Sequence, residues 1–283
     1  MKILVIGMCG NSLFYNKEKN ILMKEEPGGK GYNQAVGIAK LGGDVAFIGA
    51  IGCDESGCLC SDYLDSNGVR NLLIKKSVPS TYATIHVDSL GNNEICVYFG
   101  SKLEFSDLEY IKEQINQYDI ILLQNEISKE LNIEIIKYAK KIGKVIIMNP
   151  APIATWMKEY LDYFDLITPN EEEARALFNI NSSVSQLDIG YEILKMTNKN
   201  VLVTIGSNGS LLISNGSIKH FDSIKVKAID TTGAGDLMNA SIAYGLSKKM
   251  SLDSSIIFGT KACAYSVQRH YVLESYPKLE NIK

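Results

Sequence analysis

Short apolar runs recur along the chain at ILVIG (3–7), VAFIGAIG (45–52), DIILLQ (119–124), KVIIMNP (144–150), DLITPN (165–170) and NVLVTIG (200–206). They are unbroken rather than alternating, which is the pattern of strands covered on both faces. Between them, helical spacing is expected from about Tyr32 to Leu41, over Lys129–Ile142, and over 170–178, 185–198, 235–248 and 252–268. The second of these closes on a lysine-rich turn followed by Gly143, a common way to end a helix. Strand, helix and strand in succession imply right-handed crossovers and a mostly parallel sheet, hence an α/β fold.

Two segments break that rhythm. Residues 81–100, TYATIHVDSLGNNEICVYFG, alternate and carry the turn signal LGNN between two β-rich halves. Residues 11–27, NSLFYNKEKNILMKEEP, are short and not clearly helical. Both are expected in a small sheet projecting from the main body. No internal repeat or low-complexity linker interrupts residues 1–283, so the reading is a single domain with excursions at approximately 11–27 and 72–100.

Composition narrows the class of function. With 283 residues and 46% apolar positions the chain can bury a large core. Charged residues make up 22% and the net charge is −3, which gives no reason to expect a nucleic acid or an anionic membrane as partner. The apolar runs fall well short of the ~20 residues of a membrane span. The opening MKILVIGMCG reads as a buried strand rather than a signal peptide. The cysteines at 9, 53, 58, 60, 96 and 263 fit reduced thiols and a cytoplasmic location, and the spacing of Cys53, Cys58 and Cys60 matches no zinc pattern.

Two glycine-rich stretches carry candidate chemistry. GGKGYNQA (28–35) opens the first helix, where glycines let backbone N–H groups approach a ligand and the helix dipole favours oxygens. A tight loop explains the glycines but not Lys30 and Asn33 among them. In TTGAGD (231–236), Gly233, Ala234 and Gly235 carry little bulk, so their N–H groups can converge on an anionic oxygen at a helix start. Asp236 follows in the first turn. It could serve only as a dipole partner, but an anion hole beside a carboxylate also suits phosphoryl transfer to an alcohol. Further polar residues stand where strands end: Asn125 and Glu126, Asn149, Asn170 and Glu173, and Thr204, Gly206, Ser207 and Gly209. In an open parallel sheet, ligands bind beyond those ends.

Taken together, GGKGYNQA, NPAP, TPNEEEA, VTIGSNG and DTTGAGDLMNA resemble the ribokinase-like, or phosphofructokinase-B, family of carbohydrate kinases, over nearly the whole chain. The resemblance implies a three-layer α/β sandwich with a mostly parallel central sheet and a small β-sheet lid. It implies ATP and Mg2+, with a sugar or nucleoside hydroxyl as acceptor. Asp236 would be the general base, with Gly233, Ala234 and Gly235 as the anion hole. Gly29, Lys30, Asn33 and Glu126 would contact the acceptor. Asn170, Thr204, Gly206, Ser207, Gly209 and Gly235 would bind ATP, and Glu173 would reach magnesium through water. Asp230 and Thr232 match a monovalent-cation site that would take K+.

Three departures stand out. Many members carry an aspartate just after the first strand, whereas the first aspartate here is Asp44, so Asn11 or Ser12 would have to substitute. Only 20 residues separate Gly7 from Gly28, so the first part of the lid is expected to be short. A Gly-Ala turn near the C-terminus is replaced by QRHYVLESYP (268–277), which bears on K+ and the adenine pocket. A sugar kinase of ribokinase or fructokinase type is the leading expectation. A nucleoside kinase and a non-catalytic sugar- or nucleotide-binding protein of the same fold are the alternatives, and the lid's edge strand would favour a homodimer. A dinucleotide-dependent oxidoreductase is disfavoured, because GMCG (7–10) lacks the third glycine of the fingerprint.

Overall fold

The computed structural model describes residues 1–87 and 93–282. Leu90–Asn92 of the LGNN turn signal therefore lie outside the described residues. In chain order the first half holds β1 (Ile3–Ile6), β2 (Gly10–Asn16), β3 (Ile21–Gly28), α1 (Lys30–Lys40), β4 (Val45–Ile48), β5 (Ala50–Ile51), α2 (Glu55–Ser66), β6 (Arg70–Asn71), β7 (Ile74–Lys75), β8 (Thr81–Val87), β9 (Asn93–Tyr98), α3 (Leu108–Ile115), β10 (Ile120–Gln124) and α4 (Lys129–Lys141). The second half adds β11 (Val145–Asn149), β12 (Leu166–Ile167), α5 (Glu171–Phe178), α6 (Ile189–Leu194), β13 (Val201–Thr204), β14 (Ser210–Ser214), β15 (Ser217–Phe221), α7 (Ala234–Ser247) and α8 (Leu252–Ser266).

The main sheet runs β15-β14-β13-β12-β11-β10-β1-β4-β6. It is parallel from β6 through to β13, and β14 and β15 extend it as an antiparallel hairpin. The unbroken apolar runs have the expected cause. In β1, Leu4 and Ile6 join a cluster with Ile111, Ile115, Leu131, Ile135, Phe178 and Ile193, so α3 to α6 cover that face. Ile3 and Val5 join the other cluster, with Val36, Ile38, Leu64, Ile242 and Ile256, so α1, α2, α7 and α8 cover the opposite face. Each fully buried aliphatic side chain contributes about 1.5–3 kcal/mol of transfer free energy, which favours covering both faces. The result is a three-layer sandwich.

A separate four-stranded sheet, β3-β2-β8-β9, forms the lid. The segment between Gly7 and Gly29 holds the whole β2–β3 hairpin. Residues 74–75, expected in the excursion, instead pair with β5 in a small two-stranded sheet. The single run 45–52 is divided into β4 and β5 around Gly49, where a side chain would meet the Phe47 ring and Cys9. β1 lies between β10 and β4. The strand order diverges there, and the crevice at that switch point is where an open α/β sheet binds ligands. The lid projects from the same place, because β2 leaves the end of β1 and β3 returns directly into α1.

Candidate active site

Asp236 lies in the first turn of α7, and the residue is 8% exposed. Asn33 Nδ2 donates to Oδ2 and Gln34 Nε2 donates to Oδ1, each at 3.0 Å. Both donors stand in the first turns of α1, so the two glycine-rich stretches meet at this carboxylate. Gln34 also donates to Asn149 Oδ1 at 3.2 Å and accepts from Gln124 Nε2 at 2.6 Å. Asn149 Nδ2 donates to Thr168 O, Thr168 Oγ1 donates to Asn239 Oδ1, and Asn239 Nδ2 donates to Gly235 O. The ends of β10 and β11 thus orient Asp236 and the start of α7 through buried amides. Gln34, Gln124, Thr168 and Asn239 were not among the sequence candidates. Gln34 lay in plain view inside GGKGYNQA, but an amide on a helix face has no chemical signature until a carboxylate faces it.

Burial pushes the Asp236 carboxyl up, and Lys30, Asn33 and Gln34 pull it back. Burial alone would lower the Lys30 ammonium, but Asp236, Glu126 and Glu173 outweigh it and hold it above its usual value. One cation therefore sits among three carboxylates. Lys30 N donates to Glu126 Oε2 at 2.8 Å, which ties Glu126 to the start of α1.

Gly233 caps α7 with φ 75° and accepts from Leu237 N at 2.9 Å. The first N–H groups of a helix have no partner within it and face outward. Of the three residues expected in the anion hole, Ala234 turns its N–H to Thr231 O at 3.2 Å. The Gly235 N–H remains in the helix's first turn beside Asp236, and a Cβ at Gly235 would meet nothing within 4 Å.

A cavity of about 450 Å³ opens beside this turn. It brings together Asn170, Thr204, Gly206, Ser207, Gly209 and Gly235, and it is walled on the apolar side by residues including Val226, Met238 and Val267. The loop after β13 is tied from behind, since Ser207 O accepts from Ser223 Oγ at 2.5 Å and Lys225 Nζ at 2.8 Å. Asn170 and Glu173 form a reciprocal capping box at the start of α5, with both bonds at 2.8 Å. Among the described residues no group of three or more His, Cys, Asp or Glu side chains could hold a metal ion directly. A carboxylate that holds magnesium through water, on a nucleotide's phosphates, needs no such cluster. A larger open groove of about 580 Å³ beside Lys158–Asp162 contains none of these residues.

The profile of the pfkB family carbohydrate kinases matches residues 1–279. The chain belongs to that family. A ribokinase from Lactococcus lactis is 34% identical over 264 residues, covering 91% of this chain and 84% of the relative. One from Bacillus subtilis is 32% identical over 277 residues, covering 94% and 92%. Among solved structures, ribokinase from Thermotoga maritima superposes with a TM-score of 0.88 at 33% identity, covering 100% of this chain and 98% of that one. Arabidopsis thaliana ribokinase complexed with ribose and ATP has a TM-score of 0.85 at 28% identity, covering 99% and 97%.

The departures of this family member from the common pattern now have places. Asn11 Nδ2 donates to Glu25 and, at 3.4 Å, to Ser56 Oγ. Ser12 Oγ lies against Gly28, where a Cβ would collide with it. Pairing puts Asn11 opposite Pro27 and Ser12 opposite Glu26. Successive strand residues point to opposite faces, so Asn11 and Ser12 face opposite sides of the lid. The C-terminal segment that replaces the Gly-Ala turn packs beside Gly233 at the start of α7. Asp230 Oδ1 accepts from Thr232 N at 2.9 Å and Oδ2 from Tyr271 N at 3.2 Å, and Tyr271 holds φ 66°. Tyr276 donates its hydroxyl to Gly233 O at 2.8 Å.

Glu126 gives this kinase a pH signature. It is half-buried, and it rises from 4.5 to about 7, first through burial and also through Asp236, against Lys30. Between these values the folded protein holds a proton that the unfolded chain has lost. Its stabilising contribution is complete below pH 4.5 and is lost as pH rises through about 7. The melting temperature of wild type relative to Glu126→Gln is expected to fall between about pH 5 and about pH 8. A difference that stays flat over that range contradicts the assignment.

Proposed function

We propose that this protein transfers the γ-phosphoryl group of ATP to a hydroxyl of a neutral sugar, with D-ribose the first candidate. The observation that carries the reading is Asp236, held by Asn33 and Gln34 and next in the chain to Gly235, which lines a cavity together with Asn170 and Thr204. The acceptor hydroxyl gives its proton to the Asp236 carboxylate as its oxygen forms a bond to the γ-phosphorus. The bond from that phosphorus to the β,γ-bridging oxygen breaks, and ADP leaves. Gly235 and the start of α7 stabilise the charge on the transferred group, and Gly29, Lys30 and Asn33 position the acceptor. Magnesium would be held on the phosphates with Glu173 acting through water, supplying charge neutralisation when bound.

Three finer readings accompany this one. Both Asp230 oxygens already accept backbone N–H groups, so dependence on K+ is expected to be weak. Exposed apolar residues on the lid, including Ile21, Leu22, Met23, Tyr82 and Tyr98, support pairing of lids in a homodimer, which sedimentation would detect. No helix among the described residues is long and apolar enough to cross a membrane, and the six free cysteines fit a reducing cytoplasm.

An ADP-release screen of D-ribose, D-fructose, sugar phosphates and adenosine, each with and without K+, tests the proposal. ADP release above the acceptor-free rate with a neutral sugar is expected. A faster rate with adenosine moves the acceptor to the nucleosides. Sugar binding without ADP formation from any acceptor leaves a binding protein of the same fold.

A further inference from the structure

The carbonyl oxygen of Gly233 accepts two hydrogen bonds. Leu237 N donates at 2.9 Å, which opens α7, and the Tyr276 hydroxyl donates at 2.8 Å from far along the chain. Gly233 has φ 75°, a conformation that glycine reaches freely but does not hold by itself. A peptide unit is planar, so fixing the Gly233 carbonyl also fixes the Ala234 N–H. Tyr276 holds the oxygen, and Val272 fills the space where a Cβ on Gly233 would stand. Tyr276 is buried, and burial pushes its phenol well above the usual value, so the hydroxyl keeps the proton it donates.

The segment that carries Tyr276 is also tied to the lid. Phe14 on β2 stands opposite Lys24 on β3, and Glu26 lies two residues beyond Lys24, so the three share one face of the lid. Each of them meets the segment. The Phe14 ring packs edge-on against Tyr271, with centroids 5.5 Å apart. Lys24 pairs with Glu274, and its Nζ stands 5.8 Å from the centre of the Tyr271 ring. Glu26 Oε1 accepts from Val272 N at 3.0 Å, and the Leu273 N–H also bears on that carboxylate. Ser275 Oγ donates to Val272 O at 2.8 Å, which keeps the lid-bound part and Tyr276 in one turn. On the side of the main body, Tyr271 N donates to Asp230 Oδ2 at 3.2 Å and Lys40 of α1 donates to Leu273 O. We propose that Tyr276 is a positioning residue for phosphoryl transfer. Its hydroxyl holds the peptide between Gly233 and Ala234, and with it the N–H groups at the start of α7, in the orientation that meets the transferred group. Through residues 271–276 the position of the lid bears on that same peptide, so a displaced lid loosens the start of α7.

The proposal rests on the sugar-kinase reading, which wild-type ADP release tests separately. Tyr276→Phe removes one hydroxyl and keeps the ring. Its kcat with D-ribose is expected to fall about tenfold, while KM for ribose and for ATP each stay within about twofold. Amide hydrogen exchange at Ala234 and Gly235 is expected to quicken about tenfold, whereas a general loss of stability would quicken exchange throughout the core. Phe14→Leu loses the edge contact with Tyr271. It is expected to lower kcat about threefold in the wild-type background but by less than about 1.5-fold when added to Tyr276→Phe, because the link is already broken there. A wild-type kcat in folded Tyr276→Phe overturns the positioning role, as does a KM that rises in step with the fall in kcat. Effects of the two substitutions that multiply in the double variant overturn the link to the lid. Quickened exchange confined to Ala234 and Gly235, in a protein whose wild type releases no ADP with any acceptor, sinks the kinase reading and upholds Tyr276 as the hold on that peptide. Unchanged exchange at both amides overturns it.

Discussion

Asp236→Asn is expected to lower kcat by about 10²–10⁴-fold while leaving the fold and ATP binding in place. The substitution is isosteric, so the start of α7 and its contact with the cavity persist. What is lost is the proton acceptor. The amide also turns one N–H toward a donor, since Asn33 Nδ2 and Gln34 Nε2 each point at a carboxylate oxygen. That misfit and the loss of a partner for half-buried Lys30 offset the relief of a carboxyl that burial had disfavoured, so a modest change in melting temperature is expected. Single-turnover ADP formation, read beside a thermal melt with and without ATP, decides the matter. A folded variant with turnover near wild type removes Asp236 from the chemistry.

The two glycines proposed for the anion hole, Gly233 and Gly235, should respond in opposite ways in stability. Gly233 has φ 75°, and a Cβ there would collide with Val272 and lie 2.9 Å from the Tyr276 hydroxyl. Gly233→Ala adds left-handed strain to overpacking and is expected to cost about 2–4 kcal/mol of stability as well as activity. At Gly235 a Cβ meets nothing within 4 Å, and the residue lies inside α7. Gly235→Ala is expected to gain about 0.5–1 kcal/mol of helix stability. Its methyl group, however, would occupy the space in which the transferred phosphoryl group meets the helix start. Loss of the N–H contact there is expected to cost about 10²-fold in kcat/KM. A melt and a rate for each variant suffice. If Gly235→Ala is as active as wild type, the α7 start is not the phosphate site.

Much of the fold was legible because its strands are short, apolar and covered on both faces. Other elements were hidden for local reasons. Helix α2, ESGCLCSDYLDS, buries little beyond Gly57, Cys60 and Leu64 and so carries a faint period. Helix α3 had the spacing of Leu108, Ile111 and Ile115, but over only eight residues. The expected helix over 185–198 is reduced to Ile189–Leu194, and DLITPN pairs as a strand only over Leu166–Ile167 before Asn170 bridges to Thr204. The β14–β15 hairpin ends the parallel sheet; β14 carries the short apolar run LLI, but its partner β15 is largely exposed and has none.

The sequence by itself determined the elements whose information is local: buried strands, the glycine-rich helix starts, and the carboxylate that follows GAG. Glycine, lysine and aspartate have short-range roles that a motif can carry. Only the tertiary structure decided which groups face one another. Asn33 and Gln34 reach Asp236 across about 200 positions of chain. Asn11 and Ser12, adjacent in sequence, part to opposite faces because a strand has a period of two. Ser12 stands opposite Glu26 through strand register, which the pairing of two segments sets and neither segment alone contains.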